Sequence, residues 1–116
     1  MALSESRVVV RERYAAQYTD PIAFRCGDVI HVGLPDPVFA EWFWCQGRDG
    51  KEGWVHRSFL SQTTGQAIGI SNYSARELTV SPGEAGQVIR VLDGWVFLEL
   101  QDGRAGWVPE KAVEAA

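Results

Sequence analysis

The chain has 116 residues, 46% of them apolar, with five Trp, twelve Gly, five Pro and a formal net charge of −4. That much apolar and aromatic surface excludes a disordered chain, and the length suits one ordinary domain or two small ones. Residues 7–62 are electrically neutral and residues 67–116 carry −3, so no basic stripe exists to neutralise phosphates or an anionic membrane, and neither is an expected partner.

In chain order, residues 1–6 read as a short polar leader without the apolar run of a signal peptide. Val8-Val9-Val10 is a β-branched strand, and Ala15 to Pro21 is a polar loop. Ile22-Ala23-Phe24 is a strand, Arg25-Cys26-Gly27-Asp28 a turn, and Val29-Ile30-His31-Val32 a strand with period-2 alternation. Gly33-Leu34-Pro35-Asp36-Pro37 reads as a rigid loop, because proline cannot donate to a central ladder. Trp42 to Val55 then makes a hairpin around Asp49-Gly50, a pair suited to a tight turn with φ > 0 at both positions. His56 to Leu60 is short enough for one 3₁₀ turn.

Residues 63–66 form a polar joint. Beyond it the order repeats: Ala67-Ile68-Gly69-Ile70, Tyr73, Leu78-Thr79-Val80, a turn at Ser81-Pro82-Gly83, a strand at Gln87 to Leu92, and a hairpin from Trp95 around Asp102-Gly103. Pro109 to Val113 closes the repeat and Glu114-Ala115-Ala116 is expected to fray. Trp42 and Trp54 recur 53 residues later as Trp95 and Trp107, and Tyr14 and Ile30 recur at 59 as Tyr73 and Ile89. A second alignment, placing Ile22-Ala23-Phe24 on Leu78-Thr79-Val80, fits as well. The expectation is an all-β protein of two small barrels in tandem, 7–62 and 67–116, joined by 63–66.

This ordered set resembles the Src homology 3 (SH3) domain, present twice, and is most similar to the variant SH3 pairs of small bacterial proteins. The residues that carry the resemblance are Ile22 to Ile30 and Gly53-Trp54-Val55 in the first repeat. In the second they are Leu78 to Glu84 and Gly106-Trp107-Val108-Pro109. The resemblance implies a module that lays an extended, proline-rich peptide across aromatic rings, since a polyproline helix is already extended and loses little entropy on binding. Carried over by position, it implies peptide contacts at Tyr14, Trp42, Phe59 and the acidic-loop residue Asp20 in the first repeat and at Tyr73, Trp95 and Pro109 in the second, with Glu77 in the acidic-loop place there. The first repeat departs from the family pattern at Glu12, His56 and Ser58; the second departs at Ser71, Lys111 and Ala112.

The function expected is therefore a non-enzymatic interaction module with an adaptor role, the first repeat presenting its aromatic ridge to an extended, proline-rich peptide or to a partner protein's surface. The alternative is a structural or assembly subunit in which the two barrels pack their aromatic faces on each other. Trp54 and Trp107 read as structural, since each opens the second strand of its hairpin. His31 and His56 read as solvated or hydrogen-bonded side chains rather than a switch. Cys26 and Cys45 lack a second Cys or His at ligand spacing, so both are expected to be free thiols, with Cys45 in a core. No cofactor or metal is expected. The chain is expected to be cytoplasmic, and monomeric or weakly homo-oligomeric.

Overall fold

A computed structural model describes residues 6–116; the polar leader, apart from Ser6, lies outside the described residues. Eleven short strands and two 3₁₀ turns make up the described chain: β1 (Arg7–Val10), β2 (Ala23–Phe24), β3 (Val29–Pro35), β4 (Trp42–Gly47), β5 (Glu52–His56), β6 (Gly65–Ile68), β7 (Tyr73–Ser74), β8 (Ala85–Leu92), β9 (Trp95–Leu100), β10 (Ala105–Pro109) and β11 (Val113–Ala115), with the turns at Arg57–Phe59 and Glu110–Ala112. The all-β reading holds, with separate sheets for two SH3-like units.

How the strands are shared corrects the expectation that each repeat closes its own barrel. The two compact units are Met1–Gln17 with Glu77–Ala116, and Tyr18–Arg76. In the first unit the sheet runs β10-β9-β8-β1-β11. Thus β1, the opening strand of the first repeat, pairs with β8 and β11 of the second, placing Val8 opposite Gly86 and Ala115. In the other unit the sheet runs β5-β4-β3-β6, with a second small sheet of β2 and β7. Here β6 and β7, from the opening of the second repeat, complete the first: Ile30 lies opposite Ala67 and Phe24 opposite Tyr73. The sequence repeats and the compact units are therefore different stretches of chain.

Alternation explains both interiors. In β9, Val96, Leu98 and Leu100 are buried. They meet Val8, Val10, Leu78, Val80, Val88, Val108 and Val113 in one cluster. Each such side chain withdrawn from water contributes about 1.5–3 kcal/mol before chain entropy is subtracted. The Tyr18–Arg76 unit buries its own set, including Ile22, Ile30, Cys45 and Val55.

Several local expectations change. β11 is a strand paired with β1, so the C-terminus is not frayed where it was expected to be. β3 continues through Gly33 to Pro35 because a register shift between Val32 and Pro35 relieves the ladder of a regular donor at the proline. At Asp49-Gly50 and Asp102-Gly103 only the glycines have positive φ, +88° and +95°. The aspartates instead accept a hydrogen bond from the amide two residues on, Lys51 and Arg104, each at 3.0 Å. The two-residue turn with both φ positive is Asp93-Gly94, at 37° and 89°, joining β8 to β9.

The choice between the two repeat alignments is also decided. Gly27 and Gly83 have matching φ, +94° and +95°. The acidic residue after each glycine accepts from the amide three residues earlier: Asp28 from Arg25 at 2.9 Å, Glu84 from Ser81 at 2.7 Å. Ile22-Ala23-Phe24 therefore corresponds to Leu78-Thr79-Val80.

Candidate functional site: two aromatic faces

Strand parity sends the odd residues 43, 45, 53 and 55 of the β4–β5 hairpin to one face and Trp42, Trp44, Trp54 and His56 to the other. Cross-strand pairing then sets Trp42 opposite His56 and Trp44 opposite Trp54. The rings of each pair meet edge to face, with centroids 5.2 and 5.0 Å apart. Tyr18, from the polar loop, covers Trp44 at 5.2 Å and keeps 37% of its surface exposed. β9–β10 repeats the motif, with Phe97 edge to face on Trp107 at 5.3 Å.

The unit of Met1–Gln17 and Glu77–Ala116 gathers Tyr14, Glu77, Trp95 and Pro109. Tyr14 exchanges backbone hydrogen bonds with Val80, which fixes its strand position. Its ring meets Trp95 edge to face at 5.8 Å, and both rings are half-buried. The Tyr14 hydroxyl donates to Glu77 Oε1 at 2.6 Å, and the same oxygen accepts from the Gln17 amide at 3.0 Å. Pro109 lies opposite Trp95 in the ladder. The acidic loop, the two rings and the proline thus come from both repeats.

The Tyr18–Arg76 unit holds Asp20, Trp42, Phe59 and Tyr73. Phe59 and Tyr73 pack with centroids 4.5 Å apart, Phe24 lies 5.4 Å from Tyr73, and the Tyr73 hydroxyl donates to the Trp54 carbonyl at 2.6 Å. Trp42 and Phe59 are each 4% exposed and Tyr73 8%. Asp20 pairs with Lys51 at 3.1 Å, a contact that raises the Lys51 pKa. The expected grouping of Tyr14 with Trp42 and Phe59 is thereby divided. Tyr14 joins Trp95 and Pro109, while Tyr73 joins Phe59 in the unit that holds Trp42.

The departures from the family pattern have visible consequences. His56, 6% exposed, accepts the Ser58 amide on Nδ1 at 3.1 Å and caps the 3₁₀ turn, with the Ser58 hydroxyl 2.8 Å from the same nitrogen. Cys26 and Cys45 are both free, and burial pushes the Cys45 thiol up from 9.0 to about 11, against a smaller opposing hydrogen bond from the Gly33 backbone. Among the described residues no cluster of His, Cys, Asp or Glu could hold a metal ion, and no helix is long and apolar enough to cross a membrane.

Three rings, Tyr18, Trp44 and Trp54, are not singled out as contacts by the sequence. Tyr18 was absorbed into a polar loop, although an aromatic residue among turn residues is a signal in itself. Trp54 reads as structural from its place at the start of a hairpin strand, which does not say that the face it shares with Trp44 stays half-open.

Small barrels with an aromatic outer face beside an acidic loop define the SH3-like class of interaction module. The sequence model of the variant SH3 domain family matches residues 7–62 and again 70–115. The chain belongs to that family and carries its domain twice. Domains of this kind are generally non-catalytic modules that mediate protein interactions. No curated protein is similar enough to the chain to count as a match.

Proposed function

We propose that the chain is a non-enzymatic interaction module that binds an extended peptide across Tyr14, Trp95 and Pro109. The single observation that supports this reading is the half-buried, edge-to-face Tyr14–Trp95 pair opposite Pro109. Rings of this kind present large, rigid area at low entropic cost. Glu77, held by Tyr14 and Gln17, places negative charge beside them and favours a peptide with a basic residue. Trp42, Phe59 and Tyr73 support the Tyr18–Arg76 barrel from within, because rings exposed by 8% or less have little surface left to offer a peptide.

Titration of proline-rich and proline-free peptide libraries, followed by tryptophan fluorescence and amide shifts, tests the proposal. Trp95→Ala is expected to weaken binding at least tenfold, equivalent to about 1.4 kcal/mol, without unfolding either barrel. Binding that survives Trp95→Ala and disappears on Trp44→Ala would move the site to the other barrel.

A further inference from the structure

The two places where the chain passes from one compact unit to the other are Gln17–Tyr18 and Arg76–Glu77. Between them lies every strand of the second unit, β2 to β7, with a core that includes Ile22, Ile30, Cys45 and Val55. Outside them, β1 and β8 to β11 form one sheet around their own hydrophobic cluster. Two repeats that exchange their opening strands within one chain are topologically a barrel of permuted strand order set into a loop of another.

Both sides of the crossing are tied close to it. On the host side Ala16 donates to Thr79 Oγ1 and Gln17 to Glu77 Oε1, each at 3.0 Å. On the inserted side Ala75 donates to the Ile22 carbonyl at 3.0 Å. A folded insert with adjacent ends closes the host loop over a few residues. An unfolded one leaves a long loop, and closure becomes less favourable as roughly the three-halves power of length, a factor on the order of tens.

We propose that Tyr18–Arg76 is a folding unit of its own, inserted in the chain between Gln17 and Glu77 of the host barrel, and that its folding favours closure of the host loop by shortening the chain that the loop must span. Coupling runs through the covalent chain. An event that stabilises the folded insert also favours the closed arms that hold Tyr14 against Glu77, and the effect is reciprocal. The proposal stands independently of whether the Tyr14–Trp95 face binds peptides.

The test uses the full chain carrying Val55→Ala, with native-state amide exchange read residue by residue. Faster exchange is expected to spread together over Ile30, Cys45 and Ala67, while Val8 and Val10 keep their protection. At a urea concentration that unfolds the insert of the variant but leaves Val8 and Val10 protected, the Tyr14 and Val80 amides, which bond each other's carbonyls beside the crossing, should exchange on the order of tens-fold faster through the lengthened loop. Loss of protection at Val8 and Val10 with retention at Ala67 would show each repeat closing itself and overturn the proposal. So would one common rate throughout, or an unchanged rate at Tyr14 and Val80 once the insert is unfolded. Should the variant fail to fold, a protease site placed at Thr63-Thr64 in the otherwise natural chain decides. The nicked halves should stay together on dilution, with Tyr14 and Val80 still protected, because each barrel needs both. Separation of the halves would sink the inference.

Discussion

Cys45 shows how far a single side chain's setting alters its chemistry. In an unfolded chain the thiol has its ordinary pKa of 9.0, and burial in the barrel pushes it up to about 11. Between those values the unfolded chain gives up a proton that the folded chain keeps. Stability carried by this group is therefore whole below pH 9 and falls as pH rises through about 11. Urea unfolding across that range should show the decline, and Cys45→Ala should flatten it. Alkylation at neutral pH should modify exposed Cys26 first and reach Cys45 only on unfolding. Trp42 makes a complementary prediction. At 4% exposure its truncation to alanine should cost about 3–5 kcal/mol in urea unfolding. Tyr18→Ala, at 37% exposure, should cost far less. Composition made both cysteines and all five tryptophans visible; only burial separates those that hold the barrel from those that face out.

At the level of elements, the hairpin signals in the sequence were sound but unevenly used. Asp-Gly occurs three times after position 48, at 49–50, 93–94 and 102–103. The pair at 93–94 is the one with both φ positive, 37° and 89°. It stands between the strand read at Gln87 to Leu92 and the hairpin read from Trp95, a break to which the sequence reading assigns no turn of its own. Gly94→Ala should destabilise the chain by about 1 kcal/mol or more, since alanine resists the left-handed region, with the urea midpoint lowered at constant slope. The register shift between Val88 and Arg90 turns Ile89 outward to 47% exposure. That is why matching Ile89 with buried Ile30 by sequence spacing misled. A bulge adds a residue without changing the apolar pattern, so periodicity alone does not reveal it.

For the whole molecule, strand exchange makes contact order unequal between the two units. The Tyr18–Arg76 barrel closes within one continuous stretch, whereas the host must bring Val8 to Ala115, almost the length of the chain. Loop closure over such a span is slow. Pulse-labelled refolding should therefore protect Ile30 and Ala67 before Val8 and Val10. Simultaneous protection of all four would show that the units do not fold in sequence. The candidate binding face follows the same geography: Tyr14 reaches Trp95 only because β1 joins the second repeat's sheet.

By itself the sequence determined the class of fold, the duplication, the hairpins and the residue types that line the aromatic faces. These follow from local causes: alternation, turn chemistry and the spacing of tryptophans. The tertiary structure alone decided which copy of each opening strand completes which barrel. The two copies are alike, so both Val8-Val9-Val10 and Ala67-Ile68 satisfy the same pairing rules, and nothing in either strand names its partner. That choice moved Tyr14 from Trp42 to Trp95 and with it the proposed peptide-binding face. Cross-strand partners are selected by the summed packing of distant residues, which a local pattern does not contain.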